Sequence, residues 1–201
     1  MRHHTSAIHS SSLRRALGWM GAFTLIAGLV VWGLPAGVAA SSGAGVPSCT
    51  TANLDVWLNT EGNGAAGSTY YNVNFTNLSA HACTLHGYPG ISAVTQSGIQ
   101  LGSAAGRNPE HVPAVVTLTS AKTANGFQDD TTHNTATVVL QIAVAQNFPA
   151  SSCAPITAAG LRVYPPGQKE STVVPFPFVA CASGASVYLH TEAIEKYVPG
   201  P

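Results

Sequence analysis

Leu54-Asp55-Val56-Trp57-Leu58-Asn59 and, past a glycine-rich segment, Tyr71-Asn72-Val73-Asn74-Phe75-Thr76 are the stretch whose reading decides the fold. Leu54, Val56 and Leu58 alternate with Asp55, Trp57 and Asn59, and Tyr71, Val73 and Phe75 alternate with Asn72, Asn74 and Thr76. A period of two sends successive side chains to opposite faces of a β-strand, one face toward a core and the other toward solvent. Between the two runs lies Glu61-Gly62-Asn63-Gly64-Ala65-Ala66-Gly67, which reads as the loop of an antiparallel hairpin.

The cysteines fit this reading. Cys49 and Cys83 are equidistant from position 66, inside the glycine-rich segment, and Cys153 and Cys181 are equidistant from position 167, inside Pro165-Pro166-Gly167-Gln168. Residues equally far from a hairpin turn face one another, so the favoured pairs are Cys49 with Cys83 and Cys153 with Cys181. Four cysteines allow three connectivities, and the crossed ones stay open at this level. An even cysteine count in an exported chain is the expected disulfide signature.

Further β-type runs follow between turn clusters. Residues 91–95 and 99–101 flank the tight-turn dipeptide Ser97-Gly98, and 115–118 is β-branched. Residues 137–144 place Val138, Leu140, Ile142 and Val144 on one side, and 161–164, 172–174 and 187–189 complete the set. No segment sustains helical periodicity, and the tail over 191–197 amounts to a helical turn at most. The expectation is an all-β fold over residues 49–201, an immunoglobulin-like antiparallel β-sandwich with two disulfides.

Arg2, Arg14 and Arg15 precede an uncharged run over 16–40, in which Pro35 is followed by the small residues Val38-Ala39-Ala40. This predicts a signal peptide over 1–40, with cleavage after Ala40 and a flexible lead-in over 41–48. The uncharged run is also long enough to span a bilayer, so an uncleaved anchor through residues 16–40 is the alternative. Both place the remainder outside the cytoplasm, with membrane contact only if the segment is retained. After Ala40, five basic side chains meet eight acidic ones, a balance of −3 with neutral histidines. That leaves no basic stripe for nucleic acid.

Candidate chemistry is sparse. His81, Cys83 and His86 form a His-x-Cys-x-x-His cluster that would hold a soft metal, unless Cys83 is oxidised. Asp129 and Asp130 lack the alternating ligand order of a calcium loop. Asn74-Phe75-Thr76 and Asn77-Leu78-Ser79 are formal glycosylation acceptors, read here as asparagines that satisfy backbone groups. No Gly-x-Ser-x-Gly elbow or His-Glu-x-x-His helix is present. His111, His133 and His190 are scattered in sequence, with nothing to gather them at one site. Trp57 falls with Asp55 and Asn59, as a contact residue if exposed and as packing if both sheet faces are covered.

The blocks Gly64-Ala65-Ala66-Gly67-Ser68-Thr69-Tyr70, Phe75-Thr76-Asn77-Leu78-Ser79, Cys83-Thr84-Leu85-His86-Gly87-Tyr88-Pro89-Gly90 and Leu161-Arg162-Val163-Tyr164-Pro165-Pro166-Gly167 resemble an exported actinobacterial family, domain of unknown function 4232. The resemblance runs from Cys49 to Leu189. It implies an exported or lipid-anchored envelope protein with a β-sandwich domain, and it implies no reaction. Cys49 lies well past the apolar run, so no lipidation motif is present. The expected function is a noncatalytic binding or structural module for an unknown envelope or extracellular partner. No catalytic residue, cofactor or metal is expected; the site residues are the disulfide cysteines Cys49, Cys83, Cys153 and Cys181. Recognition is expected at the loops 62–67, 86–90 and 125–134, because rigid sandwiches carry recognition on their end loops. The competing class is an extracellular metal-binding protein or hydrolase on the same fold.

Overall fold

The computed structural model describes residues 45–123, 126–127 and 131–199, so the expected signal segment lies outside the described residues. The first half of the chain forms β1 (Leu54–Ala65), β2 (Ser68–Asn77), β3 (Cys83–His86), β4 (Gly90–Val94), β5 (Gln100–Leu101), β6 (Gly106–Arg107) and β7 (Val115–Leu118). The second half adds β8 (Lys122–Thr123), β9 (Gly126–Phe127), β10 (Thr135–Ala143), β11 (Pro155–Tyr164), β12 (Thr172–Cys181), β13 (Leu189–Thr191) and β14 (Glu195–Lys196). Single helical turns, α1 (Thr131–Asn134) and α2 (Ala150–Cys153), precede β10 and β11.

One sheet runs β1-β2-β10-β13-β6, with β14 also paired to β10, and a second runs β12-β11-β4-β5. A β3-β7 ribbon and a β8-β9 ribbon complete the set. Among the described residues, the pairings between named strands are antiparallel except β6 with β13, which are parallel, a departure from the purely antiparallel expectation. Val73, Phe75, Val138 and Leu140 of the first sheet share one core with Ile91, Ala93, Leu161 and Val163 of the second. Leu85 and Leu118 bring the β3-β7 ribbon into that core. Full burial of each such large side chain contributes about 1.5–3 kcal/mol, which makes the shared core the main source of cohesion.

The opening alternation holds in part: Leu54, Val56, Val73 and Phe75 are buried and Asp55 is exposed, but Leu58 and Tyr71 are half-buried and Asn74, on the other face, is buried as well. The glycine-rich segment does not form the expected loop. β1 runs through Ala65, with an irregular register between Asn59 and Asn63, and the connection is only Ala66-Gly67. Gly62 sits against the Tyr71 ring, where a Cβ would fall 2.6 Å from Tyr71 Cε1. Both turn residues have positive φ, 49° at Ala66 and 80° at Gly67, as in a type I′ hairpin. Alanine pays about 1–2 kcal/mol in that region, whereas Asn-Gly suits it. Ala66→Asn is therefore expected to raise stability by about 0.5–1 kcal/mol in chemical denaturation; no change or a loss would place the turn elsewhere.

The tail also differs from expectation. Instead of a helical turn, β13 and β14 add to β10, through Leu140↔Thr191 and Thr137↔Glu195. The segment after β14 lies over the outer face of the first sheet, where the Val198 N–H donates to the Thr137 hydroxyl. That hydroxyl donates in turn to Asn74 Oδ1 at 2.8 Å, so both polar side chains are buried yet satisfied.

Both crosslinks form as favoured, Cys49–Cys83 and Cys153–Cys181. The second closes its hairpin directly, since Pro155 faces Cys181 and the Ser183 N–H donates to the Cys153 carbonyl. The first arises differently. Residues after Asn77 turn back, and Ser48 pairs parallel with Thr84, with the Cys49 N–H donating to the Thr84 carbonyl. The end of the expected flexible lead-in is thus tied down from Pro47, whose carbonyl accepts the Thr84 N–H.

Candidate functional site

The block from Cys83 to Gly90 folds as a clamp rather than a free recognition loop. Gly87, at φ 103°, turns the chain out of β3, and its carbonyl accepts the Ile194 N–H. The Tyr88 hydroxyl lies 3.1 Å from the Asn108 carbonyl and 3.0 Å from that of His111, donating to one at a time. Arg107 stands over the Tyr88 ring at 5.5 Å, a cation–π distance. Tyr88 therefore fixes the segment between β6 and β7.

That segment carries a pair the sequence reading missed. His111 Nδ1 lies 3.0 Å from Glu192 Oε2, with Glu195 close enough for both to act on its carboxyl. Burial raises the Glu195 pKa first, the Glu192 charge adds to this, and His111 opposes it. A carboxyl held above its unfolded pKa binds more protons when folded, so its contribution to stability falls as pH rises through that window. Glu195→Gln is expected to leave the melting temperature unchanged well below the carboxylate range and to raise it modestly at neutral pH. A stability difference independent of pH would contradict this environment.

At the His-x-Cys-x-x-His cluster the fold has the oxidised alternative. Cys83 is bonded to Cys49, so no thiolate is available, while His81 and His86 sit exposed on either side. Among the described residues, no group of three or more His, Cys, Asp or Glu is placed to hold a metal. Asp129 and Asp130 lie outside the described residues, as does part of the 125–134 loop. His190 is half-buried beside Gly106, and His133 Nδ1 is 2.9 Å from the Thr132 hydroxyl.

The two formal glycosylation asparagines are buried. Asn77 Nδ2 donates to the carbonyls of His81 and Thr119 at 2.8 and 2.9 Å, while its Oδ1 accepts the Ser79 N–H. This side chain holds together the end of the fold where the chain enters. Trp57 is half-buried on the outer face, its indole N–H donating to the Thr76 hydroxyl at 3.0 Å. Ser103 donates its hydroxyl to the Gly184 carbonyl.

Of the loops expected to recognise a partner, 62–67 and 86–90 do not gather at one place. The Ala66-Gly67 turn lies at the end bearing Cys153–Cys181, where Thr69 and Tyr71 share a cleft with Phe178 and Val179. Residues 86–90 are spent on the 106–111 segment. A concavity lies instead on a sheet face. A groove of about 600 Å³ runs over β11 and β12, lined by Thr157, Ala159, Val173, Pro175 and Pro177, with Thr95 and Gln96 at its rim. Nothing in the sequence pattern marks it, because its walls come from three separate segments.

These features define a mostly β, doubly disulfide-bonded module. Residues 49–126 match the family model for a domain of unknown function (DUF4232). The match takes in Cys49–Cys83 and the Tyr88 clamp and stops before β10, short of the Leu189 limit that the sequence resemblance suggested. No curated protein matches the chain. Among the described residues, no helix is long and apolar enough to cross a membrane.

Proposed function

We propose that the chain is an exported, noncatalytic binding module built as an immunoglobulin-like β-sandwich. The supporting observation is a rigid frame, crosslinked near both ends, that leaves an open apolar groove on one sheet face. Disulfides persist in oxidising compartments, which favours a place outside the cytoplasm. Concave, mostly apolar sites of this volume suit small ligands better than a flat sheet does. The oxidation of Cys83 removes the ligand on which the metal-binding alternative depended.

The test is to express the full chain, fractionate the cells and trap thiols at lysis. This reading expects the protein outside the cytoplasm with all four cysteines blocked by disulfides. It also expects the purified protein to retain a ligand or partner from extracellular extract in its oxidised form alone. Recovery from the cytosol with reactive thiols would overturn it.

A further inference from the structure

The sheet β12-β11-β4-β5 contains a single charged residue, Arg162. Its sequence neighbours Leu161 and Val163 are fully buried in the core, so strand alternation turns Arg162 to the outer face. There it stands opposite Val173 of β12, half-buried, with Nη2 donating to the Gly98 carbonyl of the β4–β5 turn. Among the described residues no carboxylate pairs with it.

Arg162 does not itself line the groove, but its cross-strand neighbour does. Val173 lines it, and Thr95 and Gln96 at its rim belong to the same turn that fixes the guanidinium. Away from Arg162 the walls are Pro175, Pro177 and Ala159, all without charge. Val173 itself is 51% exposed, a large apolar surface left in water.

We propose that this groove binds a small amphiphilic carboxylate, its apolar body along Val173, Pro175 and Pro177 and its carboxylate on Arg162. The proposal rests on the binding-module reading and names the ligand class for it. A guanidinium held by one carbonyl keeps further N–H donors in a fixed fork, which matches a carboxylate's two oxygens. Lone positive charge at one end of an apolar trough selects one negative charge on an apolar body. A peptide strand is the less suitable occupant. Pro175 and Pro177 remove two N–H donors from β12, the edge to which an added strand would have to pair.

The test uses decanoate below its micelle concentration, with decanol as the uncharged counterpart, titrated against the full-length protein by calorimetry. Saturable one-site binding of decanoate, at least roughly tenfold tighter than decanol, is expected. Arg162→Gln should weaken decanoate about tenfold and leave decanol unchanged, while Arg162→Lys should restore part of the loss. Val173→Asp should abolish decanoate binding. Unchanged melting temperatures would show that the variants fold. Equal binding of decanoate and decanol, or equal decanoate affinity in wild type and Arg162→Gln, would overturn the assignment. Failure of decanoate to bind would remove the carboxylate site and leave the module reading to stand or fall on its own test.

Discussion

Replacing Cys153 and Cys181 together by alanine is expected to lower stability by about 3–4 kcal/mol. The bond joins residues 28 apart, and releasing a loop of that length returns conformational freedom of this size to the unfolded chain. Both cysteines are fully buried, so no solvent exposure offsets the loss. For a domain of this size the melting temperature should fall by on the order of 10 °C. The backbone bonds from Ala182 to Ala154 and from Ser183 to Cys153 keep the hairpin end in register, so the variant should still fold. A loss below about 1 kcal/mol would mean that these backbone contacts alone hold the end closed.

Gly102→Ala is expected to cost about 2–5 kcal/mol, for a reason that can be separated into two parts. Its φ of 63° lies in the left-handed region, where a side chain costs about 1–2 kcal/mol. A Cβ there would also press into the Cys181 carbonyl oxygen, and would stand 3.2 Å from the Ser183 carbonyl and 3.3 Å from Tyr188 Cε1. Backbone carbonyls cannot swing away as a side chain tip can, so overpacking adds a further 1–3 kcal/mol or so. Gly167, at φ 74° in the Pro165-Pro166-Gly167-Gln168 turn, has no atom within 4 Å of such a Cβ. Gly167→Ala should therefore show the backbone part alone, about 1 kcal/mol. Equal losses in the two variants, measured by denaturant unfolding, would remove the packing explanation. Tyr188 shares this tight corner. Burial pushes the pKa of its hydroxyl up to about 12, with the Cys181 backbone acting the other way.

The framework was legible along most of each long strand, although Val144, read with Val138, Leu140 and Ile142, falls past the end of β10 and is exposed. Leu54, Val56, Val73, Phe75, Val138, Leu140 and Ile142 read correctly because five or more residues separate the two faces by simple alternation. The cysteine symmetry gave the right partners at both ends. At Cys49 the symmetry was only indirectly the cause, because the turn after Asn77 sets Ser48 parallel to Thr84. Strands β13 and β14, of three and two residues, have no period to read; β10 holds them in place. The 61–67 segment misled because glycines signal turns, whereas here Gly62 makes room for the Tyr71 ring within a strand pairing.

The site was far less legible. Arg162 appeared in the sequence as part of the Leu161-Arg162-Val163-Tyr164 run and gave no sign of its isolation. That isolation depends on β4, β5 and β12 contributing no charge of their own. Likewise His111 and Glu192 are 81 residues apart and meet only because Tyr88 and β13 position their segments. The conspicuous motif, His81 with Cys83 and His86, carried no chemistry once Cys83 found Cys49.

Peptide mapping of the unreduced protein, after unfolding in a thiol-blocking reagent, probes the covalent frame on which every other inference depends. Two crosslinked fragments, one joining Cys49 to Cys83 and one joining Cys153 to Cys181, with no blocked thiol, is the predicted outcome. Recovery of alkylated cysteine, or of a fragment joining Cys49 to Cys181, would contradict it.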